Sequence, residues 1–557
     1  MLNFQKSLLY FNTIRHLRAI QIYGRLWHKF YSPAPNLDPP PEKGLAAGHW
    51  EAPVLREQSL YGPYRFRMLN REHSLKEKDG WEPPEATKLW LYHLHYFDDL
   101  TAFNFHKRRS WHKDLIHRWI KENPPVSGIG WESYPLSRRI INWIKADLTK
   151  PLLDGAVLHS LAVQTRYLAK RCEHHLQGNH LFVNAKALVF AGLYFGGRLG
   201  NREAGSWLRQ GLKIINRELT EQIRSDGSHY EQSPMYHALL FEDLLDMINI
   251  GRAYGWDKCK AWESTACRMF AYLNAVCHPD GRICLFNDAA FNMAPAPEEL
   301  ADYACRMGIR PNECATAGPG WRHYRNSGMV RLQLGAWTIF FDTGPIGPDH
   351  IPGHAHADNL TLEFSYRDKR IIVDTGSGEY GTSPERLRQR STASHNTVVL
   401  DGQNSSEVWS GFRVARRAVP LDIAHVEKRG NTLICESCYK VYGRLKNRIY
   451  HRRTLYLNEE KFTVEDEIVG KGKHQIEIFW HFHPQLTLKK KDEFWIVFHE
   501  GLKINIGKIS IASMDEIFTE QTTYHPEVGL SLNNTKLAGR NKGNLPIRIT
   551  TQFLFDQ

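Results

Sequence analysis

The hydrophobic positions of this chain change period partway along. Up to about residue 320, apolar residues recur at the three- and four-residue spacing of helices. The clearest runs are Leu153–His174, Asn179–Tyr194, Ala204–Ile223 and Tyr236–Ala253, preceded by Leu89–Phe103 and Ser137–Leu148. Short polar or Gly-containing turns separate them, which predicts antiparallel helical hairpins in a stacked or closed array. From about Arg322 the period falls to two. Met329–Leu334, Trp337–Asp342, Leu360–Phe364 and Ile371–Asp374 read as strands, and so do Thr397–Leu400, Phe462–Asp466, Ile476–Trp480 and Trp495–Phe498. No long helix interrupts them, so this half is predicted to be antiparallel, a sandwich or stacked sheets. Residues 33–88 are rich in proline and show little periodicity. They read as an extended arm wrapping a domain. The division is an N-terminal helix and arm over 1–88, a helical domain over 89–320 and a β domain over 321–557.

Composition adds a partner class. The 557 residues carry a formal net charge of +12, spread along the chain. A basic surface attracts polyanions. Because no helix-turn-helix, zinc-finger or RNA-module signature accompanies the basic residues, an acidic polysaccharide is favoured over nucleic acid. The 16 Trp and 23 Tyr suit stacking on sugar rings as well as core packing. Nine Cys lie mostly singly on apolar segments, and Cys435-x-x-Cys438 reads as strand packing. No run of about 18 apolar residues suggests a membrane span. No signal peptide is evident, which makes a cytoplasmic location the default, with a periplasmic or secreted one by another route as the alternative. The basic amphipathic stretch Arg15–Lys29 has the composition of a membrane-surface segment.

Three segments carry candidate chemistry. Gly178-Asn179-His180 stands at a helix start, where an Asn amide and the backbone dipole both favour a carboxylate; an N-cap role for Asn179 is the structural alternative. Ser233-Pro-Met-Tyr236-His237 opens another helix. A Tyr there with a depressed pKa can take and return a proton, and core packing is the alternative. Gly353-His354-Ala-His356-Ala-Asp358 precedes a strand, so His354, His356 and Asp358 fall on one side. Asp374 and His395 follow on neighbouring strands, a donor set that suits zinc or a hydrogen-bonded network. Gly376-Ser-Gly-Glu-Tyr-Gly381 matches GxGxxG but lies among hairpins, not in a βαβ unit, and is read as a turn.

Together these motifs resemble the heparinase II/III-like polysaccharide lyases, over about Leu89–His483. The resemblance implies an (α/α) toroid followed by an antiparallel β-sandwich. It assigns catalytic roles to Asn179, His180, Tyr236 and His354, and structural Zn2+ ligation to His356, Asp374 and His395. It places His95, Trp131, Glu132, Asn287 and Asp288 at the substrate cleft. Where some family members carry Glu four residues after the Asn, this chain has Val183. The implied activity is β-elimination at uronate C5 of a glycosaminoglycan- or alginate-type polymer. Asn179 and His354 would neutralise the carboxylate. Tyr236 would act as base and then acid, and His180 as base toward the C5 epimer. A uronyl C5-epimerase and a non-catalytic acidic-polysaccharide-binding protein are the alternatives. A glycoside hydrolase would need two facing carboxylates, for which Asp226 and Glu231 are available.

Overall fold

A computed structural model of the protein describes residues 2–75, 80–311, 320–441 and 449–555. Two helices open the chain, α1 (Leu2–Ile14) and α2 (Ala19–Phe30). An extended arm follows, and it contains a small antiparallel sheet of β1 (Leu60–Gly62), β2 (Arg65–Met68) and β3 (Arg71–Ser74). Periodicity misses this sheet because its strands span three or four residues and only Leu60 and Phe66 are buried.

The helical domain comprises α3 (Lys88–Tyr96), α4 (Arg109–Glu122), α5 (Ser133–Thr149), α6 (Gly155–Lys170), α7 (Gly178–Tyr194), α8 (Arg202–Gln222), α9 (Pro234–Ala253), α10 (Lys260–Ala275) and α11 (Pro297–Arg306). The first is shorter than its hydrophobic pattern, because Phe97 takes a left-handed conformation at φ 60° and stops it. Helix α7 buries every residue from Leu181 to Tyr194, as an inner helix must. Helix α8 is two-sided and lays one apolar stripe on α7. Gly192 and Gly211 set their close approach: a Cβ at Gly211 would stand 2.7 Å from Val189 Cγ2, and one at Gly192 would stand 2.7 Å from the Leu208 nitrogen. Ion pairs tie the inner helices together. Lys186 Nζ bridges Asp243 at 2.7 Å and Asp246 at 2.6 Å, and Lys145 reaches Asp246 at 2.9 Å. Breaking such a buried pair costs about 3–5 kcal/mol, because a charge is stranded.

The β domain opens with a five-stranded antiparallel meander, β4 (Gly320–Tyr324), β5 (Met329–Leu334), β6 (Trp337–Asp342), β7 (Leu362–Tyr366) and β8 (Lys369–Ile372). A nine-stranded sheet, which includes Tyr450–Leu457, Lys461–Val469 and Ile547–Phe555, packs against it. Their shared core is aromatic: Trp337 meets Phe555 at 5.3 Å and Phe364 meets Phe553 at 4.9 Å, centroid to centroid. A four-stranded sheet holds Val398–Leu400 and Lys473–His481. The observed architecture is that expected from sequence: helical hairpins, then antiparallel sheets. Strands β5 and β6 fall on the predicted residues. The return strand ends earlier than predicted, because the Val373 N–H leaves the meander and donates to the His481 carbonyl at 3.0 Å. Cys435 is buried and Cys438 half-buried on one strand, Thr432–Lys440, as strand packing requires. Among the described residues, no helix is long and apolar enough to cross a membrane.

Candidate active site

Helix α7 begins in strain. Gln177, its N-cap, sits at φ 60° and makes no side-chain cap bond, and Gly178 follows at φ 56°. Non-Gly residues at positive φ persist where surrounding structure holds them, often at functional sites. The turn leaves Asn179 in the first helical turn rather than at the cap, and the residue lines a cleft of about 390 Å³. His180, Glu231 and His354 line the same cleft, and Gln21 and Arg25 of α2 line it from outside the toroid.

His180 Nδ1 lies 3.2 Å from Glu173, and its ring packs on Tyr134 at 4.4 Å. Burial opposes a charge on the ring, yet Glu173 prevails and raises its pKa. The ring is thus disposed to be an imidazolium, a donor to a carboxylate rather than a ready base.

Tyr236 is the third residue of α9. Its N–H donates to the Ser233 hydroxyl, which caps the helix and donates in turn to the Asp288 carbonyl at 2.6 Å. The phenol stacks on His354 with centroids 3.9 Å apart, and its Oη is 3.3 Å from that of Tyr380. Burial, Tyr380 and Asp288 push its pKa well above the usual 10.0. The sequence reading of a depressed phenol pKa does not hold in this state. A buried neutral phenol is an acid waiting for a base of higher affinity, such as a departing alkoxide.

His354 arrives on the loop between β6 and β7. Its Nδ1 lies 2.9 Å from Asp288 Oδ2, a carboxylate held well below its usual range by Arg386, which suits an Nδ1–H donating to it. Nε2 is 3.6 Å from Glu231 Oε2. Asp288 is a hub. It also pairs with Arg386, 2.7 Å to Oδ2, and is bonded by His356 at 2.9 Å and Ser377 at 3.1 Å. Its neighbour Asn287, at φ 59°, accepts from the His356 N–H at 3.0 Å and donates to the Gln232 carbonyl at 3.2 Å. Both residues are buried, with their polar atoms spent inside the protein, so they hold the His354 loop rather than present themselves to a ligand.

Two of the other expected cleft residues are withdrawn into the fold. His95 is fully buried and accepts from Trp119 Nε1 at 3.0 Å. Trp131 is buried against Trp119 and Tyr167. Both belong to the packing of the toroid. Glu132 is partly exposed and takes a hydrogen bond from Tyr92 and an ion pair from Lys88 at 3.0 Å.

His356, Asp374 and His395 come together as the β-domain residues of the expected zinc site. The rings of His356 and His395 lie 5.2 Å apart, and His395 Nδ1 meets Asp374 at 2.7 Å. Among the described residues, His356 Nδ1, His395 Nε2 and Asp358 Oδ2 have no hydrogen-bond partner in their buried positions. Burial, opposed by His395 and aided by the neighbouring Asp374, pushes Asp358 up to about 6. These unspent donors and crowded carboxylates fit a cation, although among the described residues no three such side chains already stand in metal-holding geometry.

Sequence patterns do not single out Tyr380 or Arg386, and they offer Glu231 only as half of a hydrolase pair. Tyr380 lies in the GxGxxG segment, which forms the turn after β8 and also supplies Ser377. Glu231 is buried, its Oε2 has no hydrogen-bond partner among the described residues, and burial raises its pKa. Gly178 faces it: a Cβ there would stand 2.8 Å from Glu231 Oε1 and 3.2 Å from Ile351 Cδ1. Gly178→Ala is therefore expected to strain the backbone at φ 56° and displace Glu231. The expected result is folded protein less stable by about 1–3 kcal/mol, the scale of such backbone strain. Denaturant unfolding of the variant checks it.

Comparison with known proteins agrees with this architecture. Residues 96–304 match the model of the heparinase II/III N-terminus and residues 316–551 that of the heparinase II/III-like C-terminal domain. The chain is 25% identical over 444 residues to a heparin-sulfate lyase of Bacteroides stercoris, covering 71% of this chain and 63% of that protein. It is 23% identical over 434 residues to a heparin-sulfate lyase of Pedobacter heparinus, covering 70% and 61%. It thus spans a little under two thirds of each relative. Among solved structures, heparinase III superposes with a TM-score of 0.70 at 18% identity, covering 87% of this chain and 80% of that one. The chondroitin AC lyase of Streptomyces coelicolor gives 0.54 at 10% identity, covering 89% and 77%. These structural likenesses concern the fold. With both halves matched by its models and the same order of helical and β domains, the chain belongs to the heparinase II/III-like family.

Proposed function

We propose that the protein is a polysaccharide lyase that cleaves a uronate-containing acidic polysaccharide by β-elimination. The observation that carries this reading is the constellation in the cleft: a carboxamide and a histidine disposed to be cationic at a helix start, facing a histidine that is oriented by a buried carboxylate and stacked on a neutral tyrosine. Elimination from a uronate needs its carboxylate neutralised, its C5 proton removed and the 4-linked oxygen protonated. The Asn179 amide and the His180 imidazolium serve the first need, because their hydrogen bonds strengthen as charge moves onto the carboxylate. His354 Nε2 takes the C5 proton, with Asp288 stabilising the resulting imidazolium. Tyr236 gives its phenolic proton to the leaving oxygen. The stacking of the two rings puts base and acid on one side of the sugar, which suits a syn course. This division of labour moves the base from Tyr236 to His354, and the raised phenol pKa motivates the change.

The relatives named as heparin-sulfate lyases support a glycosaminoglycan of the heparan class over alginate. The test is ultraviolet absorbance of the unsaturated uronate during incubation with heparan sulfate, chondroitin, hyaluronan, polyglucuronate and alginate. Absorbance rising with one of them supports the lyase. Solvent deuterium entering C5 without absorbance overturns it in favour of an epimerase, and unchanged polymer with binding overturns it in favour of a binding protein.

We also propose that Zn2+ is held by His356, Asp374 and His395. Bound there, the ion would supply a fixed positive charge that braces the loop carrying His354. Metal analysis of protein purified at neutral pH should find about one zinc per chain, and chelation should lower the melting temperature. Metal-free protein of unchanged stability would sink this assignment.

A further inference from the structure

Helix α2 is amphipathic the wrong way round. In a surface helix the apolar stripe faces the core. Here the inward face is Gln21, Gly24 and His28. Gln21 donates to the His350 carbonyl at 2.9 Å, and the His28 ring packs on His175 at 4.4 Å. Gly24 admits the close contact, since a Cβ there would stand 3.0 Å from His175 Cβ. The outward face is Ile22, Tyr23, Leu26, Trp27 and Phe30, exposed by 48 to 77%. Several of these residues also wall an open, largely apolar groove of about 620 Å³ against Ala169–His175. Contiguous exposed apolar surface of this kind marks an interaction site.

Charge narrows the occupant. Residues 1–37 contain no Asp or Glu, while Arg15, Arg25 and Lys29 stand exposed beside the apolar face. A basic rim around aromatic and aliphatic side chains matches an anionic lipid surface, where the rings enter the headgroup boundary and the cations meet phosphate. A sugar polymer would leave Ile22 and Leu26 without a use. We propose that helix α2 docks the protein on an anionic membrane surface, lying in the interface without spanning it. Because Gln21 and Arg25 also line the cleft, docking would hold the cleft mouth beside the lipid, within reach of polymer tethered or emerging there. The proposal does not depend on the reaction catalysed.

The test is co-sedimentation of the full chain with vesicles of phosphatidylcholine alone or containing phosphatidylglycerol. Binding is expected to be at least about tenfold tighter with the anionic lipid, to weaken with salt, and to fall by a similar factor in the double variant Trp27→Glu, Phe30→Glu. Both side chains project outward, so the variant should keep its melting temperature. Equal binding to both vesicle types, or binding untouched by the double substitution, overturns the proposal. So does a dimer in sedimentation velocity that the double variant splits while neither protein binds vesicles, because the face then belongs to a second copy.

Discussion

Tyr236→Phe is expected to lower kcat by about two to four orders of magnitude, the range for a positioned general acid, with KM and melting temperature nearly unchanged. Among the described residues the phenol oxygen's hydrogen-bond partner is the Tyr380 hydroxyl, at 3.3 Å, while the ring keeps its stacking on His354, so deletion removes a proton and little packing. The variant also separates acid from base. If His354 removes the C5 proton, Tyr236→Phe continues to exchange that proton with solvent deuterium although elimination stalls, and a substrate with a better leaving group restores turnover. Loss of exchange together with elimination would return the base to Tyr236.

Asp288→Ala is expected to carry the largest stability cost of any single change in the site, about 3–5 kcal/mol, the range for stranding a buried charge. The charge left behind is the guanidinium of Arg386, which is fully buried with Asp288 as its carboxylate partner. His354 and His356 lose their shared acceptor at the same time, so activity should vanish in whatever protein remains folded. Denaturant unfolding measures the cost, and the double variant Asp288→Ala, Arg386→Met tests its origin. Recovery of a large part of the stability in the double variant identifies the stranded cation as the cause. Purely additive losses would mean that the pair contributes little.

What the sequence made legible follows from the reach of its patterns. Repeats of three to four and of two placed the helical and β halves, and β5 and β6 came out to the residue because each side chain alternation is local. The short strands of the arm offered too few residues for a period to emerge. The stop at Phe97 depends on one backbone torsion. Within the site, Asn179, His180, Tyr236 and His354 were marked by motifs beside helix and strand starts. Arg386 carried no local signature and Tyr380 lay in a glycine-rich segment read as a turn, since they reach the site through contacts 98 and 144 residues away in sequence. Asn287 and Asp288 were placed at the cleft by the family resemblance. Their burial is set by Arg386 and by the loop of His354, neither of which the local sequence reveals. The pKa directions of Tyr236 and His180 likewise depend on burial and on Glu173, which only the folded chain supplies.

The pairings at the centre of the site cross from one half of the molecule to the other. Tyr236 and Asp288 come from the helical half, and His354, Tyr380 and Arg386 from the β half. On the proposed mechanism, neither half contains a working set of groups by itself. Severing the chain between them would create two inert fragments whose reunion could be followed by the return of turnover, which makes catalysis a gauge of assembly. On the proposed mechanism, a small rotation at the seam would separate the base and its carboxylate, or the acid and its neighbour, in one movement. Admission of a long polymer and the readiness to act on it would then be two readings of a single coordinate.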